Sequence, residues 1–279
     1  MTVAPRKSLG QHFLHDQGVL SRIAVLAAPE PESGLVEVGP GPGALTEHLL
    51  DHGVPLLAIE RDDRLPEVLA ERFAEPSATG RFRLLHGDAT RVDWSEILAD
   101  PQLGPRPVVV GNLPYNVGAA ILMRILEQGQ AAARVVVMLQ REVAERICAA
   151  PGNKSYGLLA VHSQWRAEPR MAMRVGPGAF RPPPKVDSAV VVLKPRPAPP
   201  YEIPDQAAFD RVVGAGFAQR RKTLVRALQN GLRADRELVQ ATLESLGLPT
   251  DARAERLDLA AWAALTRALA PTLGRAGAH

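Results

Sequence analysis

Cysteine is almost missing from this chain. Cys148 stands alone among 279 residues. That excludes a disulfide framework and fits a reducing compartment, so the cytoplasm is expected. No apolar run approaches the roughly 18 residues that a membrane helix needs. The basic start, Met1 to Lys7, has no apolar stretch behind it, so no secretory leader is expected. There is no internal repeat. Excess charge is small as well: the net charge is +3, although the isoelectric point is about 9.3. Affinity for a polyanion would have to come from local patches of arginine. What remains is 46% hydrophobic, enough for a proper core, and long enough for one large domain or two unequal ones.

The run Val108-Val109-Val110-Gly111 reads as a buried strand. Gly111 ends it and permits a close backbone approach. Asn112 and Tyr115 then fall at the carboxyl end of that strand, where open α/β sheets bind ligands. Leu113-Pro114 stiffens the loop between them. A carboxamide, backbone carbonyls and an aromatic face in one rigid turn suit a flat heterocycle bearing an amino group. Taken alone, the tetrapeptide reads as a strand followed by an Asn-Pro type turn, so its meaning depends on what precedes it.

The preceding chain alternates strands and helices. Residues 8–16 form neither, but a glycine-centred arm with apolar anchors Leu9, Phe13 and Leu14. A helix is expected over 17–27. Strand 35–38 leads into Gly39-Pro40-Gly41-Pro42-Gly43 and a helix over 44–52, the first unit of a nucleotide-binding sheet. Gly39, Gly41 and Ala44 satisfy the dinucleotide spacing. Pro40 and Pro42 lack the N–H groups that a pyrophosphate cradle uses. Glu37 stands where a cationic ligand would lie. Strand 55–59 ends in Glu60, about 20 residues past the turn, a place for an acid that holds a ribose diol. A helix follows over 65–73. Strand 82–86 ends in Gly87-Asp88-Ala89, where Asp88 suits an adenine amine or, equally, a helix cap. After Val108 come helix 119–128, strand 135–139, a helix from Gln140, a loop over 151–155, a helix over 156–165 and strands over 171–175 and 189–193.

Prolines over 195–204 mark a linker. Beyond it the pattern is helical, over 209–232, 237–246 and 259–269. Gln219-Arg220-Arg221-Lys222 and Arg226 place positive charge beside the first of these helices, as a solvated face or as a binding surface. Two domains are therefore expected, 1–198 and 205–279.

Together these pieces resemble the ribosomal RNA adenine dimethyltransferases. The resemblance rests on Leu9-Gly10-Gln11-His12-Phe13-Leu14, Glu37-Val38-Gly39-Pro40-Gly41, Gly87-Asp88-Ala89, Gly111-Asn112-Leu113-Pro114-Tyr115 and Phe180-Arg181-Pro182-Pro183-Pro184-Lys185-Val186-Asp187-Ser188, with Gln219-Arg220-Arg221-Lys222-Thr223 closing it. It runs from Leu9 to about Arg226. It implies a class I S-adenosylmethionine-dependent methyltransferase fold, mostly parallel with an antiparallel strand, plus a small helical domain for RNA. The activity implied is N6 dimethylation of two adjacent adenosines near the 3′ end of small-subunit ribosomal RNA. The partner would be that RNA or its ribosomal particle, bound by a monomer without metal. The resemblance assigns Gln11, His12, Leu14, Gly39, Gly41, Glu60, Arg61, Asp88, Ala89 and Asn112 to the cofactor. It assigns Asn112, Leu113, Pro114, Tyr115 and Phe180 to the target base, and Arg220, Arg221, Lys222 and Arg226 to RNA. Many relatives carry Asn where this chain has His12.

The residue types suit that chemistry. The N6 lone pair of adenine is delocalised into the ring and is a poor nucleophile. The Asn112 oxygen and the Leu113 carbonyl would accept its two N–H bonds and aim the lone pair, while Tyr115 and Phe180 stack on an unstacked base. A methylated ammonium on an aromatic ring is acidic, so no strong general base is needed, and positioning would supply most of the rate. A dehydrogenase would share the glycine turn and Glu60, but has no use for Asn-Leu-Pro-Tyr. A large-subunit adenine methyltransferase of the antibiotic-resistance type shares the Asn-x-Pro-Tyr motif. A factor that keeps the fold only for binding would not need Glu60, Asp88 and Asn112 intact. His48 and His52 lack the Cys or acid that would complete a zinc set.

Overall fold

Short apolar runs rich in β-branched residues set the sheet, and the segments between them supply the helices on its faces. The computed structural model describes residues 3–6, 10–219 and 221–273. Leu9 and Arg220 lie outside the described residues. The strands are β1 (Phe13–Leu14), β2 (Leu35–Val38), β3 (Leu56–Glu60), β4 (Phe82–His86), β5 (Val108–Asn112), β6 (Arg134–Gln140), β7 (Ala167–Val175), β8 (Phe180–Arg181) and β9 (Ser188–Pro195). The helices are α1 (Gln17–Leu26), α2 (Ala44–Leu50), α3 (Leu65–Arg72), α4 (Ala74–Ala78), α5 (Trp94–Leu98), α6 (Gly118–Gln128), α7 (Arg141–Ile147), α8 (Leu158–Arg166), α9 (Gln206–Phe217), α10 (Leu224–Leu232), α11 (Arg236–Ser245) and α12 (Leu259–Leu273).

Seven strands form one sheet in the order β4-β3-β2-β5-β6-β9-β7. β2 to β6 pair in parallel, and β9 joins antiparallel to β6 and to β7. The order reverses between β2 and β5, so the crevice at their carboxyl ends is the topological switch point where such sheets bind ligands. β2 and β5 are buried on both faces through Val110, which is why they read as unbroken apolar runs rather than alternating ones. At Gly111 a side chain would sit 2.5 Å from the Val38 carbonyl oxygen. The close approach expected at Gly111 is thus between neighbouring strands. Among the described residues, no helix is long and apolar enough to cross a membrane.

The N-terminal arm is more regular than its sequence suggests. Phe13 and Leu14 pair antiparallel with Arg181 and Phe180, and the His15 N–H donates to the Ala179 carbonyl at 3.0 Å. A two-residue strand leaves no periodicity to read. β7 is also longer than the expected 171–175. Its irregular register between Met171 and Met173 breaks the alternation on which a strand reading depends.

The chain divides into two compact units, 1–144 with 167–197 and 145–166 with 198–279. Residues 145–166 therefore group with the C-terminal helices, unlike the sequence expectation of an unbroken 1–198. The reason is packing: Trp165 stacks on Phe209 with ring centroids 3.9 Å apart, and its Nε1 donates to Gln206 at 3.0 Å. Within this second unit the expected single helix over 209–232 is broken. α9 ends at Phe217 and α10 begins at Leu224. The break lets Leu224, Val225 and Leu228 join Phe209, Val212 and Val213 in one core. α10 can approach α9 because Gly231 faces Ala215, where an added Cβ would meet the alanine Cβ at 2.6 Å.

Candidate active site

The carboxyl ends of β2, β3, β4 and β5 open into one cleft of about 1070 Å³, counting its mouth, a volume suited to a nucleoside-sized ligand. The glycine turn after β2 forms its floor. Gly39, Gly41 and Gly43 all have left-handed φ values, at 69°, 56° and 90°, a region that residues bearing a Cβ adopt at a cost. At Gly41 a Cβ would also stand 3.2 Å from the Phe13 ring, so the turn and the arm meet there without a side chain between them.

Glu60, at the end of β3, ties the turn to its own loop. Its Oε2 accepts from the Gly41 N–H at 3.1 Å, and its Oε1 accepts from the Arg61 and Asp62 N–H groups at 2.8 and 2.7 Å. It is 6% exposed. Burial raises its pKa against those three hydrogen bonds. At the end of β4, Asp88 accepts from the Thr90 N–H and hydroxyl at 2.9 and 2.7 Å and lies 3.4 Å from Arg61 Nη1. Burial pushes the Asp88 carboxyl up, but Thr90, Arg61 and Arg91 outweigh it and the net shift is downward. Asp88 is thus an ionised acceptor at neutral pH. The Ala89 carbonyl is fixed by the Nε1–H of buried Trp94 at 3.0 Å.

Glu37 behaves differently. It is 1% exposed, accepts from the Thr46 hydroxyl at 2.7 Å and lines the cleft. Burial pushes its pKa up to about 8, with Thr46 pulling down and the Glu60 charge pushing up. The sequence places this acid where a cation would lie. In the structure its hydrogen-bonding partner is Thr46, and it holds a proton at neutral pH.

The arm crosses the cleft and is fastened at both sides. Gln11 Nε2 donates to Asp62 at 2.9 Å, Arg6 Nη1 donates to Asp63 at 2.9 Å, and Arg64 Nη1 donates to the Ala4 carbonyl at 3.1 Å. Asp62 is buried. The Arg64 fork, at 2.9 and 2.6 Å, holds its pKa far below the carboxylate range despite burial, with Gln11 assisting. On the far side, Asn112 Nδ2 donates to the His12 carbonyl at 3.1 Å. The Asp62 anchor was hidden in the charged run Arg61-Asp62-Asp63-Arg64, whose composition is that of a solvated loop.

Asn112, Leu113, Pro114 and Tyr115 line the same cleft. The Leu113 N–H donates to the Met138 carbonyl at 3.1 Å, and the Pro114 carbonyl accepts from Val117 and Gly118 at the start of α6. Tyr115 is half-buried. Its hydroxyl lies 2.5 Å from Ser188 Oγ, and burial raises its pKa although Ser188 lowers it. All of the positions assigned by resemblance to cofactor or base line the cleft except Phe180. Phe180 is 2% exposed and packs in the core cluster with Leu14 and Ala179. Its pairing with Leu14 in β8 turns the ring inward, so of the two aromatic residues assigned to the base only Tyr115 lines the cleft.

The expected cation helix also changes. Arg221 and Lys222 lie in the turn before α10 and are exposed. Arg226 lies on α10, exposed, with its Nη1 donating to Gln229 at 3.3 Å. His48 and His52 are engaged by Gln17 and the Ala24 carbonyl. No cluster that could hold a metal is found among the described residues.

A switch-point cleft with an acid closing its glycine turn, and a rigid Asn-Leu-Pro-Tyr loop on its wall, defines a class I S-adenosylmethionine-dependent methyltransferase. The fold is similar to a dimethyladenosine transferase from Plasmodium falciparum, with a TM-score of 0.78 and 23% identity over 94% of this chain and 98% of that one. It is also similar to the 23S rRNA methyltransferase ErmE, with a TM-score of 0.69 and 26% identity over 92% and 99%. Residues 3–270 match the model of the family "Ribosomal RNA adenine dimethylase". Proteins named Ribosomal RNA small subunit methyltransferase A are 45% identical in Jannaschia sp. (96% of this chain, 90% of that one) and 40% identical in Geobacillus kaustophilus (97% and 92%). The chain belongs to the ribosomal RNA adenine dimethylase family, and it is a methyltransferase.

Proposed function

We propose that this chain dimethylates N6 of two adjacent adenosines near the 3′ end of small-subunit ribosomal RNA, as a step in ribosome biogenesis. The observation that carries this reading is the placing of Asn112–Tyr115 in one cleft with Glu60 and Asp88. A base-holding loop and a nucleoside-holding pair of acids then face the same space.

The cleft fits S-adenosylmethionine by the chemistry of its donor set. Glu60 has three backbone N–H partners and lone pairs left over for ribose hydroxyls. Ionised Asp88 accepts from an adenine amine, Ala89 and Arg61 flank it, and Gly39 and Gly41 leave room along the floor. Gln11, His12 and Leu14 belong to the arm above. The cofactor supplies an electrophilic methyl group on a sulfonium. The protein's own work lies on the other side of the transfer. Asn112 Oδ1 and the Leu113 carbonyl accept the two N–H bonds of the target amine and draw its lone pair out of conjugation. Tyr115 stacks on the base, a contact worth about 1–3 kcal/mol, after the base has left its own stack. Phe180, as placed, supports β1 from the core. It would have to turn outward to add a second face.

The helical unit is assigned to RNA through Arg221, Lys222 and Arg226, and Arg220 keeps that assignment by its place in the sequence alone. The cytoplasm, a monomeric state and the absence of a resident metal complete the reading.

The test is methyl transfer from labelled S-adenosylmethionine to small ribosomal particles lacking these methyl groups, followed by mass analysis of the 3′-terminal RNA fragment. Two dimethyladenosines are expected. Transfer to large-subunit RNA alone would assign the chain to the other adenine methyltransferase class.

A further inference from the structure

The loop between β8 and β9 is tied to the cleft at both of its ends. Arg181 is paired with Phe13, which lines the cleft. Ser188 Oγ lies 2.5 Å from the hydroxyl of Tyr115, another lining residue. Between these ends the loop is stiff. Pro182, Pro183 and Pro184 fix their own φ angles, and Pro184 is buried. Asp187 is fastened to Arg141 twice: its carbonyl accepts from the Arg141 N–H at 2.9 Å, and its Oδ2 from Nη1 at 3.0 Å.

Three side chains of this loop remain uncommitted. Arg181 and Lys185 are exposed. Residues 167–197 hold six arginines and lysines and two acids, a surplus of +4 in a chain whose net charge is +3. Both acids are already paired, Asp187 with Arg141 and Glu168 with Arg196. Val186 is apolar yet 45% exposed. A single exposed valine is ordinary on a protein surface. This one sits on a stiff loop, next to an unpaired cation and two residues from the serine that touches Tyr115.

We propose that this loop opens the RNA stack at the target, with Val186 entering the gap left by the extruded adenosine and Lys185 and Arg181 holding flanking phosphates. This rests on the function proposed above. A stacked base cannot reach the cleft, and extruding it uncovers the apolar faces of its neighbours. An apolar side chain in the gap replaces the lost stacking and opposes the return of the base. Valine suits that task, since it has no polar atom to desolvate and is stiff at χ1. A mobile loop would lose the gain to the entropy of ordering. Here the prolines and the Asp187 clamp have ordered the loop before RNA arrives. The device acts on the gap, so it serves each of two adjacent adenosines in turn.

The experiment compares the full chain with Val186→Ser, Val186→Ile and Lys185→Ala. The substrate is the small ribosomal particle lacking these methyl groups. One preparation carries 2-aminopurine in place of a target adenosine, which brightens on leaving its stack. Transfer is followed in single turnovers on the unsubstituted particle, particle affinity over a salt series, and cofactor affinity by calorimetry. In Val186→Ser both brightening and transfer should fall about 5-fold or more, the effect of losing one aliphatic contact. Cofactor affinity should stay unchanged, which also reports an intact fold, and particle affinity should move by less than about 3-fold. Val186→Ile keeps the wedge and should restore both signals. Lys185→Ala should flatten the slope of log affinity against log salt by roughly 0.7. Unchanged brightening and transfer in Val186→Ser would overturn the wedge. So would a loss explained by weaker particle binding alone, which would make the loop a docking surface for RNA or for a ribosomal protein. An unchanged slope in Lys185→Ala would overturn the phosphate contact. A wild-type chain that binds cofactor but methylates no small-subunit adenosine would instead bring down the function on which the proposal stands.

Discussion

Glu60 and Gly41 are joined across the glycine turn, side-chain Oε2 to main-chain N–H, at 3.1 Å. The acid that would hold ribose therefore also holds the turn that would lie beneath the cofactor. Removing it takes an acceptor from three backbone N–H groups at once. Glu60→Ala should weaken S-adenosylmethionine binding by about 10- to 100-fold, the range for removing a polar partner from a buried site, and should also lower the melting midpoint. Asp88→Ala should weaken binding comparably while moving the midpoint less, because Asp88 is held by a near neighbour in sequence, Thr90, and by the exposed Arg61. Calorimetry with thermal melts separates the two effects. Unchanged affinity in both variants would remove this placement of the cofactor.

Glu37 carries a pH signature. Its folded pKa is raised from 4.5 to about 8, so the native protein keeps a proton that the unfolded chain has already released. The associated stability is fully present below about pH 4.5 and drains away as pH rises toward 8. A cationic ligand in the cleft favours the ionised carboxylate, so binding near pH 7 should release a proton. The expected outcome is a binding enthalpy that depends on the ionisation enthalpy of the buffer in the wild type and not in Glu37→Gln. The same substitution should flatten stability against pH between about 4.5 and 8. Equal buffer dependence in both proteins would place the titrating group elsewhere.

Much of this site is legible in the sequence because its physics is local. The β-branched runs of β2 and β5 announce central strands. Glycine and proline mark the turn, and Glu60, Asp88 and Asn112 announce themselves by standing at strand ends. What escapes is tertiary. Nothing near Gln219–Thr223 forbids a helix; the break follows from the fit of Gly231 against Ala215 and from the burial that a hairpin gains. Phe180 sits in a loop motif beside Tyr115 in the reading by resemblance, yet its pairing with Leu14 buries it. The fastening of the arm by Asp62 needs partners 51 residues apart, a separation without any periodic trace.

Asn112 has one donor committed to the arm and lines the cleft together with Tyr115. Asn112→Ala should keep the fold and much of the cofactor affinity, since Glu60 and Asp88 remain. Methyl transfer should fall on the order of 100-fold or more, by analogy with removing one partner made in the transition state. Asn112→Asp is the sharper variant. It keeps an acceptor for the amine but sets a carboxylate oxygen against the His12 carbonyl, so it should lose both transfer and arm order. Full single-turnover activity in folded Asn112→Ala would rule out the amine-orienting role.

Arg221 and Lys222 project from the turn before α10, and Arg226 from the exposed side of that helix. They do not lie on one helix face, so they would meet phosphates from a turn and a helix together. With a net charge of only +3, long-range attraction is weak and RNA affinity must be built from such local pairings. Removing one cation that neutralises a phosphate should reduce the slope of log affinity against log salt by roughly 0.7–0.9. Arg221→Ala with Lys222→Ala should therefore flatten the salt dependence of small-subunit binding by up to about twice that amount, leave cofactor affinity unchanged, and raise KM for RNA more than it lowers kcat. Binding over a salt series measures the slope directly. An unchanged slope with unchanged affinity would leave these side chains as a solvated face, and the grip on RNA would have to be sought on the cleft-bearing unit.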